Sequence, residues 1–219
     1  SDLTFIDQSS RFTSASLLQR RSDILSEFDK FKTRFERQND LLIKFLHSDN
    51  GGEYVAMDEY LEEHGIIASR TAPYTPQQNG IAERANRSIV EIIRALLYQS
   101  GLNHRFWVEA LQTAVDIRNN TFSSALGGIA PISKLTNKAA KLHNLRTFGC
   151  LRYVHVPEQK RKKLYKKAKE GILLRCLENA TYRVYIPKDD EVITSRHVEF
   201  DETKFPGRNW ENLGNIGMK

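Results

Sequence analysis

The sequence has only two cysteines and no long apolar run. Cys150 and Cys176 are too few for a disulfide framework and lack the paired spacing of a zinc site, so we interpret them as small buried apolar side chains. No stretch approaches the roughly 18 apolar residues that a membrane-spanning helix needs. The first residues do not show the basic-then-apolar pattern of a secretion signal. These absences favour a soluble intracellular protein without a membrane partner.

Acidic residues are the minority among the charged ones. The chain has 27 Asp and Glu against 33 Lys and Arg, and a net charge of +6. Such an excess favours an anionic partner, although many proteins that bind no nucleic acid share it. Seven of the ten residues from Lys160 to Lys169 are basic. This run is a solvated loop, a nuclear-import signal or a phosphate clamp, and in the last case Lys160, Arg161, Lys162 and Lys163 contact DNA.

The first 118 residues alternate between strand and helix patterns. Apolar runs at Leu3–Ile6 and Phe12–Leu18, separated by a polar turn, predict a β-hairpin. Ser22 is the expected N-cap of the next helix, whose aromatic and aliphatic residues share one face. The later predicted elements are a strand at Leu41–Leu46, a helix at Met57–His64, a strand at Ile66–Thr71, and helices at Gly80–Gln99 and Arg105–Ile117.

The second part of the chain has a β pattern. A polar stretch at residues 119–142 predicts a connector. Short runs that follow predict a small β-barrel, because so few strands leave exposed edges unless they curl. The predicted strands are Leu151–Val156, Gly171–Cys176, Tyr182–Ile186 and Glu191–Val198. We therefore divide the chain into an α/β domain at 1–118, the connector at 119–142, a β module at 143–202 and a tail at 203–219.

Two carboxylates, those of Asp49 and Glu83, lie at positions that are expected to be exposed to solvent. Asp49 follows a predicted strand, and Glu83 lies on the first turns of the long helix. Carboxylates brought together in this way bind Mg²⁺, and two such ions stabilise the attacking and leaving oxygens of phosphoryl transfer. With 27 acidic residues in the chain, however, pairs at any separation are common. The spacing alone leaves a metal site and ordinary surface charges as alternatives.

Local sequence around these two acids is more specific. HSDNGGEY at residues 47–54 and PYTPQQNGIAERANR at residues 73–87 closely resemble the two signature blocks of copia-type retrotransposon integrases, which are parts of retrovirus-related Pol polyproteins. Further resemblance covers Leu3–Asp7, Phe106–Trp107, Phe148–Cys150, Tyr153–Pro157 and Ser195–Glu202. The resemblance therefore includes nearly the whole chain.

This resemblance implies a ribonuclease H-like core, without its first strand, followed by a small SH3-like β-barrel. Family members use an Asp, Asp, Glu triad with Mg²⁺ or Mn²⁺ to trim the 3′ ends of element DNA and join them to target DNA. Asp49 matches the second acid and Glu83 the third. The resemblance also implies a homo-oligomer that acts in the nucleus after a cytoplasmic particle stage. The implied DNA contacts are Tyr74, Gln78, Asn79, Arg84, Asn86, Arg87 and Arg94.

The sequence departs from the family pattern at the first acid. In the family this acid lies upstream of the segment that Leu3–Asp7 matches, and Asp7 matches a different position. We interpret Asp7 as a turn-capping or helix-neighbouring carboxylate rather than a metal ligand, and we assign no histidine to a metal. Asp49 and Glu83 are then an incomplete ligand set, so we expect the chain alone to lack catalysis. The alternative is a domesticated nucleic-acid-binding or scaffold protein without chemistry.

The same departure has a structural side. The family's first strand pairs with the strands that correspond to Leu3–Ile6 and Leu41–Leu46. Without this first strand, the backbone groups of those two strands that would pair with it have no hydrogen-bond partner. We therefore expect either marginal stability or an altered sheet in which these two strands pair directly.

Overall fold

The computed structural model describes residues 2–48, 52, 57–70, 76–142, 145–155 and 168–208, with no side-chain description for 76–79. The chain forms two compact units. The first unit comprises residues 1–88 and 121–140, and the second comprises residues 89–120 and 141–219. In the described ranges no helix is both long enough and apolar enough to cross a membrane.

The first unit begins with the predicted hairpin. Strand β1 (Asp2–Ile6) pairs antiparallel with β2 (Thr13–Leu17). In the turn between them, Asp7 Oδ2 accepts hydrogen bonds from the Ser10 amide at 2.7 Å and from the Ser10 hydroxyl at 2.6 Å. Asp and Ser stabilise turns in this way because their side chains reach nearby backbone groups. The predicted turn-capping role of Asp7 is confirmed.

Helix α1 (Ile24–Asn39) packs its predicted apolar face on the hairpin. The Phe28 side chain is fully buried, and the Phe31 ring stacks on Phe5 at 4.5 Å between centroids. The predicted N-cap at Ser22 is wrong, because a 3₁₀ turn precedes the helix and Asp23 is its N-cap residue. The Asp23 carboxylate accepts a hydrogen bond from the Arg20 amide at 2.9 Å and closes this turn.

The next strand begins later than the apolar run suggests. Strand β3 covers Phe45–Ser48, whereas the prediction was Leu41–Leu46. Leu42 is 75% exposed, and the Ile43 amide donates to Glu36 of α1 rather than to a neighbouring strand. Helix α2 (Asp58–Glu63) and strand β4 (Ile67–Arg70) follow as predicted, and β4 pairs in parallel with β3.

The first unit contains two separate two-stranded sheets, β1–β2 and β3–β4. Among the described residues β1 and β3 do not pair, so the expectation of direct pairing between them is wrong. Leu3, Phe5 and Leu46 pack on one apolar core, which holds the strands through side chains instead of backbone hydrogen bonds. Marginal stability, the other expectation, stays a prediction.

A long helix, α3 (Pro76–Ser100), begins four residues before its predicted start. It is followed by α4 (Trp107–Asn120), which a 3₁₀ turn at His104–Phe106 precedes. The predicted connector at 119–142 contains ordered structure. It includes a 3₁₀ turn at Ser124–Leu126 and a short helix, α5 (Pro131–Thr136), which begins at a proline.

The second unit contains a five-stranded antiparallel sheet in the order β8-β7-β6-β5-β9. The single strand predicted at Glu191–Val198 is two strands, because the chain leaves its partner β7 near Arg196 and then pairs with β5. The strands are β5 (Leu151–His155), β6 (Ala168–Leu177), β7 (Thr181–Ile186), β8 (Glu191–Ser195) and β9 (Val198–Asp201).

Helix α4 belongs to the second unit and packs on this sheet. The Thr113 hydroxyl donates to the Leu174 carbonyl at 3.1 Å, and Arg183 Nη2 lies 2.7 Å from Glu109 Oε1. Helix α4 therefore belongs to the same compact unit as the five-stranded sheet, and the division into domains at 1–118 and 143–202 stays a prediction.

The end of α3 is enclosed by two glycines of the second unit. Gly149 has φ +78°, and a Cβ built on it would lie 2.1 Å from Ser100 Cβ. A Cβ on Gly207 would lie 2.4 Å from the Ser100 carbonyl oxygen. Nearby, Arg208 Nε donates to the Gln99 carbonyl at 2.6 Å. Backbone segments approach this closely only where side chains are absent.

Candidate nucleic-acid interface and metal site

Helix α3 has a polar and an apolar side between Glu83 and Arg94. Ala85 and Ile89 are buried, whereas Glu83, Arg87 and Arg94 are exposed. Positions four and seven residues apart lie on the same side of a helix. The structure therefore places the predicted acid and two of the predicted DNA contacts along one solvent-facing stripe.

Two further predicted contacts on α3 have neighbours that the sequence did not indicate. The Arg84 guanidinium lies against Gly80, with Nη1 3.0 Å from the position of a Cβ there. Asn86 Oδ1 accepts a hydrogen bond from the Thr4 hydroxyl of β1 at 2.9 Å. Asn86 thus connects α3 to the hairpin, and its amide nitrogen is the group suited to a phosphate contact.

The carboxyl end of β3 is held by an arginine that sequence reasoning missed. Arg70 of β4 donates to the Ser48 hydroxyl, and it also forms an ion pair with Asp58 at the start of α2. The Ser48 residue is 8% exposed. These contacts join three elements at the residue that precedes Asp49. No local motif predicts them, because their partners meet only through the parallel pairing of β3 with β4.

Several predicted site residues lie outside the described part of the chain. They are Asp49, Tyr74, Lys160, Arg161, Lys162 and Lys163, together with the side chains of Gln78 and Asn79. In the part that is described, no three His, Cys, Asp or Glu residues are grouped in a way that could hold a metal ion. Glu83 is the predicted metal ligand whose position the structure gives.

A second charged network lies at the start of α4. Arg105 Nη2 donates to the Tyr185 hydroxyl at 2.5 Å and to Asp190 Oδ1 at 2.7 Å. The Tyr185 hydroxyl also donates to Asp190 Oδ1 at 2.7 Å. Hydrogen bonds from Tyr185 and Arg105 lower the pKa of Asp190, whereas burial raises the pKa of Tyr185. These contacts anchor α4 on β7.

The end of β9 carries two acids whose pKa values are lowered. Hydrogen bonds from Lys204 and Thr203 lower the pKa of Asp201 from 3.8 to about 2. Hydrogen bonds from the Thr147 hydroxyl at 2.6 Å and amide at 3.0 Å lower the pKa of Glu202. Both acids bind protons more weakly in the folded state than in the unfolded one, so their contribution to stability is present at neutral pH.

We expect the second unit to lose this contribution as the pH falls from about 4 to about 2, the window set by the unfolded and folded pKa of Asp201. In Asp201→Asn the stability should be lower at pH 7 and should change less across this window, so that the two proteins converge near pH 2. Urea unfolding followed by tryptophan fluorescence measures this, because Trp107 lies at the start of α4 in the second unit. Equal acid slopes in both proteins would contradict it.

The fold and the charged face of α3 define a mixed α/β protein with an antiparallel β domain and a basic helix surface. Residues 150–211 match the protein family described as the retroviral polymerase SH3-like domain. The chain is 40% identical over 205 residues to the retrovirus-related Pol polyprotein from transposon TNT 1-94 of Nicotiana tabacum, which covers 92% of this chain and 15% of that protein. It is 34% identical over 204 residues to the Pol polyprotein from transposon RE2 of Arabidopsis thaliana, covering 92% of this chain and 14% of that protein.

A solved structure has a similar fold. It is a chain from the cryo-EM structure of the simian T-cell lymphotropic virus intasome in complex with the PP2A regulatory subunit B56 gamma, with a TM-score of 0.52 and 14% identity. The match covers 91% of this chain and 71% of that one. At this identity the likeness concerns the fold alone.

This chain is homologous to a segment of the copia-type retrovirus-related Pol polyproteins, and it contains a retroviral polymerase SH3-like domain. The resemblance found in the sequence is thereby confirmed. The chain spans 14–15% of the length of these relatives.

Proposed function

We propose that this chain is the core and downstream part of a retrotransposon integrase, which binds DNA and contributes to its 3′-end processing and strand transfer. The observation that supports this proposal most directly is the exposed face of α3, which Glu83 shares with Arg87 and Arg94, in a chain homologous to Pol polyproteins. In this proposal residues 1–118 are a ribonuclease H-like core, to which the two separate two-stranded sheets β1–β2 and β3–β4 belong.

The residues fit a divalent metal of the Mg²⁺ or Mn²⁺ type. Glu83 is an exposed carboxylate with solvent access, and hard oxygen ligands are what these ions prefer. Asp49 follows the last residue of β3 in the sequence and is the second proposed ligand. When bound, such ions stabilise the charge that develops on phosphate oxygens. By the family pattern a third acid, upstream of Leu3–Asp7, joins Asp49 and Glu83 as a ligand and is required for turnover.

DNA is the proposed macromolecular partner. Arg fits this role because its planar fork matches phosphate geometry, and exposed arginines on one helix face can follow a sugar-phosphate backbone. The intasome of the structural neighbour supports an assembly of several copies on DNA. Nuclear action follows from the same proposal, since target DNA lies there. The proposed contacts are those named from the sequence: Tyr74, Gln78, Asn79, Arg84, Asn86, Arg87, Arg94 and the basic run from Lys160.

Salt dependence of DNA binding tests this interface. We expect the affinity for a duplex to fall steeply with salt, and the triple variant Arg84→Gln, Arg87→Gln, Arg94→Gln to bind more weakly and with a shallower slope. Removing one phosphate-binding arginine should reduce the slope of log K against log salt by about 0.9. Fluorescence anisotropy of a labelled duplex between about 50 and 200 mM salt measures both quantities.

A matched control uses three exposed basic residues of the first unit that lie off α3: Arg37, Lys44 and Lys138. Their replacement with Gln removes the same charge as the α3 variant but from a different surface. It should therefore change the slope of log K against log salt far less. Equal reductions in the two triple variants, or a flat salt response of the unmodified chain, would remove α3 as the interface.

A further inference from the structure

The second unit contains a cavity of about 300 Å³ that the proposed DNA interface does not use. It lies between α4, the segment before β5, and the end of β6. Apolar side chains form much of its wall, among them Ile117, Leu145, Phe148 and Leu174. This volume is at the lower end of the range for small-ligand sites in proteins. A branched apolar side chain therefore fits the cavity.

Two arginines and two acids lie around this apolar wall. Arg175 Nε donates to Asp116 at 3.1 Å. Arg146 Nε is 3.8 Å from Glu202, too far for a hydrogen bond, and Glu202 instead accepts from Thr147. Among the described residues, Arg146 has no side-chain hydrogen bond that satisfies its donors. The side chain is 40% exposed, so these donors are available to a ligand.

A third guanidinium, that of Arg152, does not line the cavity but lies over the same Phe200 ring as that of Arg146. Arg152 is fully buried on β5, and its three side-chain nitrogens have no hydrogen-bond partner in the described parts of the chain. Its Cζ lies 3.3 Å from the centroid of the Phe200 ring, and Arg146 Cζ lies 5.2 Å from the same centroid. The register of β5 with β9 produces this arrangement, because it sets Arg152 directly opposite Phe200.

The region around the cavity has a surplus of positive charge once Arg152 is included. The two arginines and two acids that line the cavity balance one another, and the buried Arg152 guanidinium beside them adds one positive charge that no described residue pairs with. A buried charge without a partner is costly, and the field of Arg152 in its buried position favours an anion nearby. A partner that brings one negative charge and one apolar group therefore complements the cavity.

We infer that this cavity binds a short acidic peptide segment of a protein partner, with its carboxylate on the Arg146 and Arg175 side and its apolar side chain against Ile117 and Leu174. A nucleic acid is a poorer match for two reasons. Its backbone has no apolar group to bury against this wall, and its successive phosphates would meet Asp116 and Glu202. A peptide carboxylate carries a single charge beside an apolar neighbour.

The test is an NMR titration of the ¹⁵N-labelled chain with the N-acetylated dipeptide amide Leu-Glu, and with Leu-Gln as the uncharged counterpart. We expect Leu-Glu to shift the amide resonances of Thr113, Arg146 and Cys176, and to bind at least tenfold more tightly than Leu-Gln. Arg146→Gln should weaken Leu-Glu binding at least tenfold. Lys188→Gln removes an exposed charge that does not line the cavity, so it should leave binding unchanged.

Other results would overturn the inference. These are the absence of shifts with Leu-Glu, equal affinity for the two dipeptides, and equal effects of Arg146→Gln and Lys188→Gln. A duplex DNA that shifts the same resonances and stops doing so in Arg146→Gln would assign the cavity to nucleic acid instead. The test is independent of the proposed function, because dipeptide binding can succeed while the α3 variants leave DNA binding unchanged, and the reverse.

Discussion

Loss of DNA strand transfer is the expected result of replacing Glu83 with Gln in a protein extended at its N-terminus by the strand and acid that precede Leu3–Asp7 in the family pattern. The amide has the size of the carboxylate but no charge, so it is a poor ligand for Mg²⁺ or Mn²⁺. Metal stabilisation of phosphoryl transfer amounts to several kcal/mol, which corresponds to about a thousandfold in rate. Joining of a labelled element end to a target duplex measures this loss, and Asp49→Asn should show the same.

Glu91 provides the control for this experiment. It is also an exposed acid of α3, two turns further along, and it is not a proposed ligand. Glu91→Gln should retain strand transfer, and all three variants should bind the duplex as the unmodified protein does. Undiminished transfer by Glu83→Gln would refute the site. DNA binding without transfer by the unmodified extended protein would instead favour the alternative of a non-catalytic nucleic-acid-binding or scaffold protein.

Replacing Gly149 with Ala should strongly destabilise the second unit. An alanine at φ +78° costs about 1–2 kcal/mol in backbone strain. Its Cβ would also lie 2.1 Å from Ser100 Cβ, and overpacking of this kind costs about 1–3 kcal/mol more. The sum is a large fraction of the roughly 5–15 kcal/mol that stabilises a typical protein. Urea unfolding followed by circular dichroism measures the change.

Two comparisons separate the contact from the backbone strain. Gly127 also has a positive φ, +65°, but a Cβ there would have nothing within 4 Å. Gly127→Ala should therefore show the strain alone. In the Gly149→Ala background, Ser100→Gly removes the atom that the new methyl group meets, so the double variant should be less destabilised than the sum of the single ones. Additive effects would show that the Gly149–Ser100 contact is not the cause.

Local sequence patterns predicted the β1–β2 hairpin and the apolar face of α1, because both depend on residues close together in the sequence. The hairpin follows from two apolar runs around Asp7, and the face of α1 follows from its helical spacing. The start of β3 did not follow, because Leu41 and Leu42 extend the apolar run although both are exposed. A strand begins where its partner begins, and β4 pairs with β3 only from Phe45 onward. That information is not contained in the run itself.

Local sequence patterns likewise predicted one part of the candidate site and missed another. Helical periodicity was sufficient to place Glu83, Arg87 and Arg94 on one exposed stripe. The bond from Thr4 to Asn86 and the position of Arg152 depend on contacts between residues far apart in the sequence. An arginine in an apolar strand gives no sign that it will be buried. Only the register of β5 with β9 reveals that its guanidinium lies against the Phe200 ring.

The close approach at the end of α3 also limits how the sequence of this region can vary over evolution. Gly207 touches the Ser100 carbonyl with no room for a methyl group, and Gly149 touches the Ser100 side chain. Substitution at any one of these three positions requires a compensating change at another. In diverging copies of the element, we therefore expect these positions to remain small and to change together, while Gly127 and Gly128, where a Cβ would have nothing within 4 Å, are limited only by their positive φ.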